Sequence, residues 1–353
     1  MKFILETLSP LHIGTGERYG SSEFLVKGNN IIRLDINNIY ALLSDKNKNI
    51  FLQFLEDPRF RLDDFIKNVD ISILQAKLYS IKLKTNIPHE IVENIKTGFK
   101  GYVPGSTLKG AIRTAILSAF IGDNEIIEIG KIFTMKNPWK RNMDAERFLG
   151  RFLSTQSSQS SYSDLMRFVQ ISDFIPVKDL YVYNIQSLEA EGDKWKWYRR
   201  NGRIVQTYLE TIMAGERLEG DIHFTYNEQM HKSLGLEYKS DIIDIIEIKR
   251  LIHSFSNAII NHEIDFSKRY EIDFLLEFYE KLKKINTEDS PVIKLGQGSG
   301  YLATTIGLEL KKNPDVFEKV RKSLRGRSYS FVFPKTRRIV MEEKMPLGWC
   351  RII

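Results

Sequence analysis

The stretch Y-V-P-G-S-T-L-K-G-A-I-R-T-A-I-L, residues 102–117, contains the strongest structural and chemical signals in this chain. A Pro-Gly turn delivers a Ser/Thr pair to the start of a helix, where short hydroxyl side chains are favoured. Leu108 and Ile112 belong to an apolar stripe with helical spacing, which predicts that the helix packs on a core. Lys109 and Arg113 are four residues apart and therefore share one helical face.

The N-terminus of this helix has the chemistry of an anion-binding site. Its first backbone N–H groups have no partner within the helix, and the macrodipole is positive there. A cation in that position is unfavourable unless an anion joins it, which makes Lys109, Arg113 and Ser106 candidate phosphate ligands. Gly105 and Gly110 lack a Cβ and would let a sugar-phosphate strand approach closely. The alternative is a surface helix whose Lys and Arg are simply solvated.

Length and composition restrict the class of protein. The chain has 353 residues, which favours two domains, and its 42% apolar residues can form real cores. Fifty-two Lys and Arg against 45 Asp and Glu give a net charge of +7, which favours polyanionic partners without proving them. A single cysteine, Cys350, excludes an intrachain disulfide and fits a reducing cytoplasm. The lack of a long apolar run predicts no membrane span and no membrane partner.

Hydrophobic periodicity and turn residues predict a mixture of strands and helices. Strands are expected at residues 2–14, 23–26, 31–34, 168–175, 180–185, 204–212 and 217–226. Helices are expected at 36–43, 50–55, 242–260, 272–285 and 302–310, in addition to the motif helix. Glycine-bearing loops are expected at 14–20 and 295–300, a mobile polar loop at 154–163, and a hairpin tip at 195–202.

Each half of the chain therefore shows strand, glycine-loop and helix signals. We predict an α+β protein built from a duplicated unit, compatible with a ferredoxin-like βαββαβ sandwich in each half. The first domain is expected at 1–165 and the second at 166–353, with a helical insertion at about 241–286.

The two glycine loops are candidates for holding phosphates. Residues 14–20 have the pattern G-x-G-x-x-x-G and residues 296–300 the pattern G-x-G-x-G, and neither is a dinucleotide fingerprint. We therefore expect no nucleotide cofactor. Successive glycines instead permit a nest of backbone N–H groups and a close approach of an RNA strand.

The sequence contains no recognisable catalytic motif. Its six histidines lack metal-ligand spacing, so no metal site is expected. His12 alone lies beside a glycine loop, where it could act as a general base in metal-independent RNA cleavage. The structural alternative is that His12 packs at the end of a strand.

Aromatic and basic residues occur together in two further segments. Residues 321–338 contain seven basic residues and no acid, and Tyr329, Phe331 and Phe333 alternate there as on one face of a strand. Aromatic side chains beside a basic track can stack bases, although an aromatic core strand with solvated basic flanks is the alternative. Trp195 and Trp197 share a face and, if exposed, would mark an RNA or protein contact.

Four segments together resemble the RAMP superfamily of CRISPR proteins. They are residues 8–17, 102–117, 295–300, and 333–340 followed by 346–349, and they occur in the expected order. More narrowly, the chain resembles the subunit that caps the 3′ end of the guide RNA in type III-A Csm effector complexes. A neighbouring subunit of type III-B complexes shares the P-G-S-x-x-K-G pattern and stays an alternative.

The resemblance implies two RAMP domains of ferredoxin-like fold, no cofactor, and a role in CRISPR antiviral defence. The implied partners are the crRNA, the backbone RAMP subunits of the Csm complex, and host ribonucleases during crRNA 3′-end maturation. Carried over by position, the RNA-facing candidates are Gly14, Gly16, Arg18, Gly105, Ser106, Lys109, Arg113, Gly296, Gln297, Gly298 and Gly300, with Lys335, Arg337 and Arg338 as weaker additions.

Three functions follow as hypotheses. The leading one is a non-catalytic RNA-binding subunit that holds the guide through its phosphates, largely irrespective of sequence. The second is a metal-independent crRNA-processing endoribonuclease, with His12 as base and Lys109 stabilising the developing charge. The third is an architectural subunit that contacts only protein.

Overall fold

The computed structural model describes residues 1–57, 59–67, 69, 73–154, 164–225, 228–229, 232, 244–325 and 332–353. The strands in these ranges are β1 (Lys2–Thr7), β2 (Gly14–Gly20), β3 (Phe24–Lys27), β4 (Asn30–Leu34), β5 (Lys77–Leu83), β6 (Glu90–Asn94), β7 (Lys96–Thr97), β8 (Lys100–Gly101), β9 (Val169–Ile171), β10 (Leu180–Glu191), β11 (Lys194–Trp197), β12 (Arg199–Arg200), β13 (Arg203–Ile204), β14 (Gln206–Ile212), β15 (Arg217–Phe224), β16 (Val292–Lys294), β17 (Thr336–Val340), β18 (Met345–Pro346) and β19 (Trp349–Ile352). The α-helices are α1 (Ile36–Leu42), α2 (Asp45–Leu55), α3 (Leu62–Ile66), α4 (Gly105–Ala119), α5 (Asp123–Ile132), α6 (Pro138–Gly150), α7 (Ile245–Arg269), α8 (Asp273–Ile285), α9 (Gly300–Thr304), α10 (Gly307–Lys311) and α11 (Pro314–Arg325).

The first sheet joins the two ends of the chain. Its five strands lie in the order β16-β19-β1-β15-β9, and every pair is antiparallel. The N-terminal strand β1 is central, with Leu5 opposite Leu218 on one side and Ile352 on the other. Leu5 shares one buried cluster with Leu108 of α4 and Ile252 of α7, so these helices cover this sheet.

The second sheet is larger and mixed. Its main path is β2-β6-β14-β10-β5-β4-β3, and β10 also pairs with β11 and β17. The β14–β6 and β10–β5 pairs are parallel, whereas the other pairs in this sheet are antiparallel. A separate small core under β4, which includes Phe51 of α2 and Phe65 of α3, lies beside it.

The α+β fold class is confirmed, since both sheets are accompanied by long amphipathic helices. Each sheet takes strands from both sides of residue 165, because strand pairing brings β1 to β15 and β5 to β10. The division into domains at that residue stays a prediction. The two long helices expected in the second half are present as α7 and α8.

Several local expectations need correction. Residues 14–20 are the strand β2, not a loop, because they pair with β6 through a register shift between Gly14 and Arg18. Within the expected hairpin tip at 195–202, Trp195 and Trp197 lie in β11, which pairs with β10, and the turn itself is at Asn201 and Gly202 between β12 and β13. The helix expected at 302–310 is divided into α9 and α10. The aromatic strand expected around Tyr329 and Phe331 lies outside the described residues.

No helix within the described ranges is both long and apolar enough to cross a membrane.

Candidate nucleic-acid interface

The motif helix α4 begins against the chain's own backbone. The amide of Gly105 donates a 2.9 Å hydrogen bond to Oδ1 of Asp173, which satisfies one of the free N-terminal N–H groups. A Cβ on Gly105 would lie 2.2 Å from the carbonyl oxygen of Ile171. The missing side chain is therefore required for packing within the protein. That Gly105 also faces RNA stays a prediction. Gly110, in contrast, has open space where a Cβ would be.

Two of the sequence motifs meet across a cavity of about 300 Å³, which we call the motif groove. One wall is the N-terminal half of α4 and the other is the glycine loop that follows β16. The motif groove is lined by Ser106, Thr107, Gly110, Ala111, Thr114, Lys294, Leu295, Gly296, Ser299, Ala303 and Thr304. Ser106 and Gly296, both predicted RNA-facing residues, are thus brought together.

The glycine loop has a conformation that only glycine adopts readily. The φ angles of Gly296, Gly298 and Gly300 are +69°, +95° and +73°, all in the left-handed region that residues with a side chain rarely adopt. A Cβ on Gly296 would also lie 2.3 Å from the carbonyl oxygen of His12, to which the amide of Gln297 donates at 2.8 Å. The loop is therefore fixed on the segment that connects β1 to β2.

Lys294 is one of the residues that line the motif groove. It is the last residue of β16, and its Nζ lies 5.5 Å from the ring centroid of Trp349. Among the described residues, none forms a salt bridge or hydrogen bond with this ammonium. Burial lowers the pKa of Lys294 to about 8, while Glu263 raises that pKa and Arg337 lowers it further. Sequence reasoning missed Lys294, although its position directly before the glycine loop was a usable signal.

Arg338 lies close to the same glycine loop. Its Cβ is 3.8 Å from where a Cβ on Gly298 would be, and burial lowers the pKa of its guanidinium. Within the part of the chain that the structure describes, Nη1 of Arg338, Nε2 of His12 and Oε1 of Gln297 are buried without a hydrogen-bond partner. Buried polar atoms normally have hydrogen-bond partners, so three such atoms in one place are unusual.

The cationic face predicted on α4 lies beside the motif groove and does not line it. Arg113 forms a 2.7 Å salt bridge with Asp164, which partly neutralises it. Lys109 is half-buried and has no ion-pair or hydrogen-bond partner among the described residues. The prediction that Lys109 needs an external anion is therefore compatible with the structure and stays a prediction.

Arg337 forms a buried ion pair within the protein. Its guanidinium donates to both carboxylate oxygens of Glu263 at 2.9 and 3.0 Å, and both side chains are buried. Burial raises the pKa of Glu263, but Arg337 more than offsets this effect and holds that pKa below its ordinary value. That Arg337 faces RNA stays a prediction, and the burial of its guanidinium argues against it. Lys335 is more exposed and forms a salt bridge with Glu189.

The first glycine segment lies on the exposed strand β2. Arg18 forms a 2.7 Å salt bridge with Glu90 of the neighbouring strand, and both side chains are more than half exposed. Nothing lies within 4 Å of where a Cβ on Gly16 would be, whereas a Cβ on Gly14 would be 2.9 Å from Nε2 of His12. This segment is thus a surface strand separate from the residues that line the motif groove.

His12 is fully buried, which argues against its role as a catalytic base. Its Nδ1 lies 2.6 Å from the carbonyl oxygen of Glu210. Burial lowers the pKa of His12 to about 4, although the hydrogen bond to the backbone of Glu210 raises it. A general base must reach the proton that it abstracts, and this side chain has no access to an external substrate in this structure. Within the described residues, no three His, Cys, Asp or Glu side chains form a potential metal site.

Comparison with known proteins gives one consistent family. A sequence model described as the RAMP superfamily matches residues 4–302. A protein of Methanocaldococcus jannaschii named CRISPR system Cms protein Csm5 is 23% identical over 393 aligned positions, covering 100% of this chain and 88% of that protein. A protein of the same name from Streptococcus thermophilus is 24% identical over 336 positions, covering 86% and 79%.

Two solved structures are similar over essentially their whole length. One is a chain of a cryo-EM structure of a Csm-crRNA-target RNA ternary complex in a type III-A CRISPR-Cas system, with a TM-score of 0.70, 25% identity and complete coverage of both chains. The other is the crystal structure of T. onnurineus Csm5, with a TM-score of 0.64 and 23% identity over 98% of this chain and 99% of that chain. The latter likeness concerns the fold.

Proposed function

Because the chain belongs to the RAMP superfamily, whose sequence model matches residues 4–302, we propose that it is a non-catalytic RNA-binding subunit of a type III-A CRISPR effector complex. The resemblance to the RAMP superfamily predicted from the four motifs is confirmed. The two relatives named Csm5 agree with the more specific resemblance to a subunit of Csm complexes. The proposed ligand is the 3′ region of the crRNA. The proposed protein partners are the backbone RAMP subunits of the Csm complex.

The motif groove is the observation that carries this proposal. It joins α4 to the glycine loop, and it is lined by Lys294, whose ammonium forms no ion pair or hydrogen bond among the described residues. Arg338 lies behind the same loop with Nη1 unpartnered. The phosphates of an RNA backbone would lie along this groove, attracted by the positive charge of Lys294 and Arg338.

Contacts of this kind read the RNA backbone and not its bases. The groove is lined by basic and hydroxyl-bearing residues such as Lys294, Ser106 and Thr107, which suit the phosphates of RNA of any sequence. A subunit that receives guides of variable sequence needs this tolerance. We further propose that the bound 3′ segment is protected, so that host ribonucleases trim the crRNA up to this subunit during maturation.

The test uses the assembled effector complex. Complexes are purified with the wild-type chain, with Lys294→Met, with Lys109→Ala, and with Lys46→Ala as the control. Lys46 is exposed on α2, which belongs to a different hydrophobic cluster from α4. We expect the first two variants to lose crRNA or to carry crRNA with irregular 3′ ends, measured by RNA sequencing, while the control retains uniform ends. Normal crRNA in both groove-side variants would contradict the proposal.

A direct assay distinguishes the endoribonuclease hypothesis from the non-catalytic proposal. The purified chain is incubated with repeat RNA in EDTA, and we expect no cleavage because His12 is buried. A 2′,3′-cyclic phosphate product that disappears with His12→Ala would overturn the non-catalytic part of the proposal. Crosslinking of the assembled complex that produces no RNA adduct near Lys294 or Lys109 would instead favour the purely architectural role.

A further inference from the structure

A β-hairpin directly before the motif helix holds an aromatic residue in an unusual backbone conformation. In the hairpin, Thr97 of β7 pairs with Lys100 of β8, which leaves Gly98 and Phe99 as the two turn residues. Their φ values are +53° and +64°. Two positive φ values define a type I′ turn, whose second position usually holds glycine. Phe99 therefore occupies a conformation that bulky side chains rarely adopt.

The Phe99 ring has one supported face and substantial exposure. The residue is 55% exposed, and its ring centroid lies 6.0 Å from that of Tyr79 at an interplanar angle of 30°. Tyr79 is itself fixed, because its hydroxyl donates a 2.8 Å hydrogen bond to Glu210 and the ammonium of Lys96 lies 4.4 Å from its ring centroid. The hairpin therefore presents an aromatic ring on a rigid support.

We propose that Phe99 stacks on a nucleobase of the single-stranded RNA whose phosphates occupy the motif groove. This inference rests on the proposed function and adds a base contact to it. Phe99 precedes Gly105 by six residues, so its Cα lies within about 22 Å of the start of α4. Lys100, the next residue, is exposed and has no partner among the described residues, so its ammonium is available to bind a phosphate.

The surroundings of Phe99 favour RNA over a protein partner. Thr97, Gly98 and Lys100 are exposed and provide no apolar surface around the ring. A stable protein interface usually buries about 800 Å² on each partner, much more than one aromatic side chain supplies. A single nucleobase, in contrast, is matched by one aromatic ring, and such stacking tolerates any base.

Replacing Phe99 by glycine separates binding from stability. Glycine suits the left-handed turn, so we expect Phe99→Gly to unfold at the same or a higher temperature than the wild type. Its affinity for a fluorescent single-stranded RNA, measured by anisotropy at fixed salt, is expected to fall about 5- to 100-fold, which corresponds to one lost base stack. Phe99→Trp is expected to retain affinity. Ile87→Ala, which changes another exposed apolar residue, is the control and should alter neither quantity.

RNA carrying one abasic nucleotide at successive positions supplies a second measurement. For the wild type, an abasic nucleotide at one position should weaken binding, and in Phe99→Gly the same nucleotide should have no further effect.

Wild-type affinity in Phe99→Gly together with weak binding in Lys294→Met would overturn the stacking proposal and leave the phosphate site intact. Undiminished binding in both variants would overturn both proposals. A Phe99→Gly variant that binds RNA normally but fails to join neighbouring subunits would assign the ring to protein contact and also overturn the stacking proposal.

Discussion

Lys294 places a positive charge where no described residue forms an ion pair or hydrogen bond with it. Burial lowers the pKa of its ammonium to about 8, below the value of about 10.5 expected in an unfolded chain. The unfolded state therefore binds more protons between pH 8 and 10.5, so the free energy of unfolding rises with pH in that window. Below pH 8 the protein bears the full cost of burying this charge.

Removing that charge should stabilise the protein. We expect Lys294→Met to raise the free energy of unfolding at pH 7 by up to about 3 kcal/mol, an upper limit set by the difference between the two pKa values. The gain should disappear towards pH 10.5. Urea denaturation at pH 7 and at pH 10 measures both effects. A variant that is less stable at pH 7 would show that the ammonium makes a favourable contact in the folded protein.

The same titration should appear in RNA binding. An ammonium with a pKa of about 8 loses its proton as the pH rises, so wild-type affinity should decrease between pH 7 and pH 9. Lys294→Met should bind more weakly at pH 7 and show little change over this range. Lys294→Arg is the matched control, because a guanidinium stays charged. Equal pH profiles for the wild type and Lys294→Met would contradict a role for this ammonium.

Two glycines of α4 show how packing and function differ along one helix. A Cβ on Gly105 would lie 2.2 Å from a backbone oxygen, whereas a Cβ on Gly110 would meet nothing within 4 Å. We expect Gly105→Ala to destabilise the protein by about 1–3 kcal/mol through overpacking. Gly110→Ala, its matched control, should stabilise the helix by up to about 1 kcal/mol.

The Gly110→Ala variant also tests the motif groove, which Gly110 lines. Because the added methyl group enters the space proposed for RNA, its affinity for RNA should fall although the protein is more stable. Denaturation curves and anisotropy on the same preparation provide both quantities. A Gly110→Ala protein that is stabilised and binds RNA like the wild type would show that the strand does not approach this face of α4.

The ion pair between Arg337 and Glu263 links β17 to α7. Removing one partner of a buried pair leaves an uncompensated charge, so Arg337→Met should cost about 3–5 kcal/mol. The double variant Arg337→Met with Glu263→Leu should recover most of that loss, and its RNA affinity should equal that of the wild type. A double variant that folds but binds RNA poorly would indicate that Arg337 contacts RNA.

The comparison of elements shows what local sequence can predict. The apolar stripe of α4 and the turn at Gly28 predicted a helix and a hairpin that the structure contains, because both depend on neighbouring residues. The strand β2 was mistaken for a loop because its pairing with β6 is not local. Arg337 and Arg338 are adjacent on β17 and point to opposite faces of the strand, and sequence alone cannot tell which face is inside.

At the scale of the whole molecule, the motif groove depends on contacts between distant parts of the chain. β1 pairs with β19, and the carbonyl oxygen of His12 holds the amide of Gln297 in the glycine loop. The sequence predicted Ser106 and Gly296 as members of a site, yet only the fold brings them together with Lys294. The position of Lys294 directly before the glycine loop is the one local sign of its role, and the charge of this basic chain does not single it out.

The net charge of +7 by itself predicts some affinity for RNA, so affinity alone does not locate the site. The salt dependence of binding is more informative, because each phosphate contact releases counterions from the RNA. A residue that contacts a phosphate should change the slope of log K against log salt, whereas a lysine elsewhere on the surface should not.

The most direct test is therefore this slope for single-stranded RNA, measured for the wild type, Lys294→Met and the control Lys46→Ala. Our account predicts that the slope of Lys294→Met is shallower by about 0.7, the value for one phosphate contact on a single strand, and that the control equals the wild type. A folded Lys294→Met protein whose slope equals that of Lys46→Ala would contradict the claim that RNA phosphates bind in the motif groove.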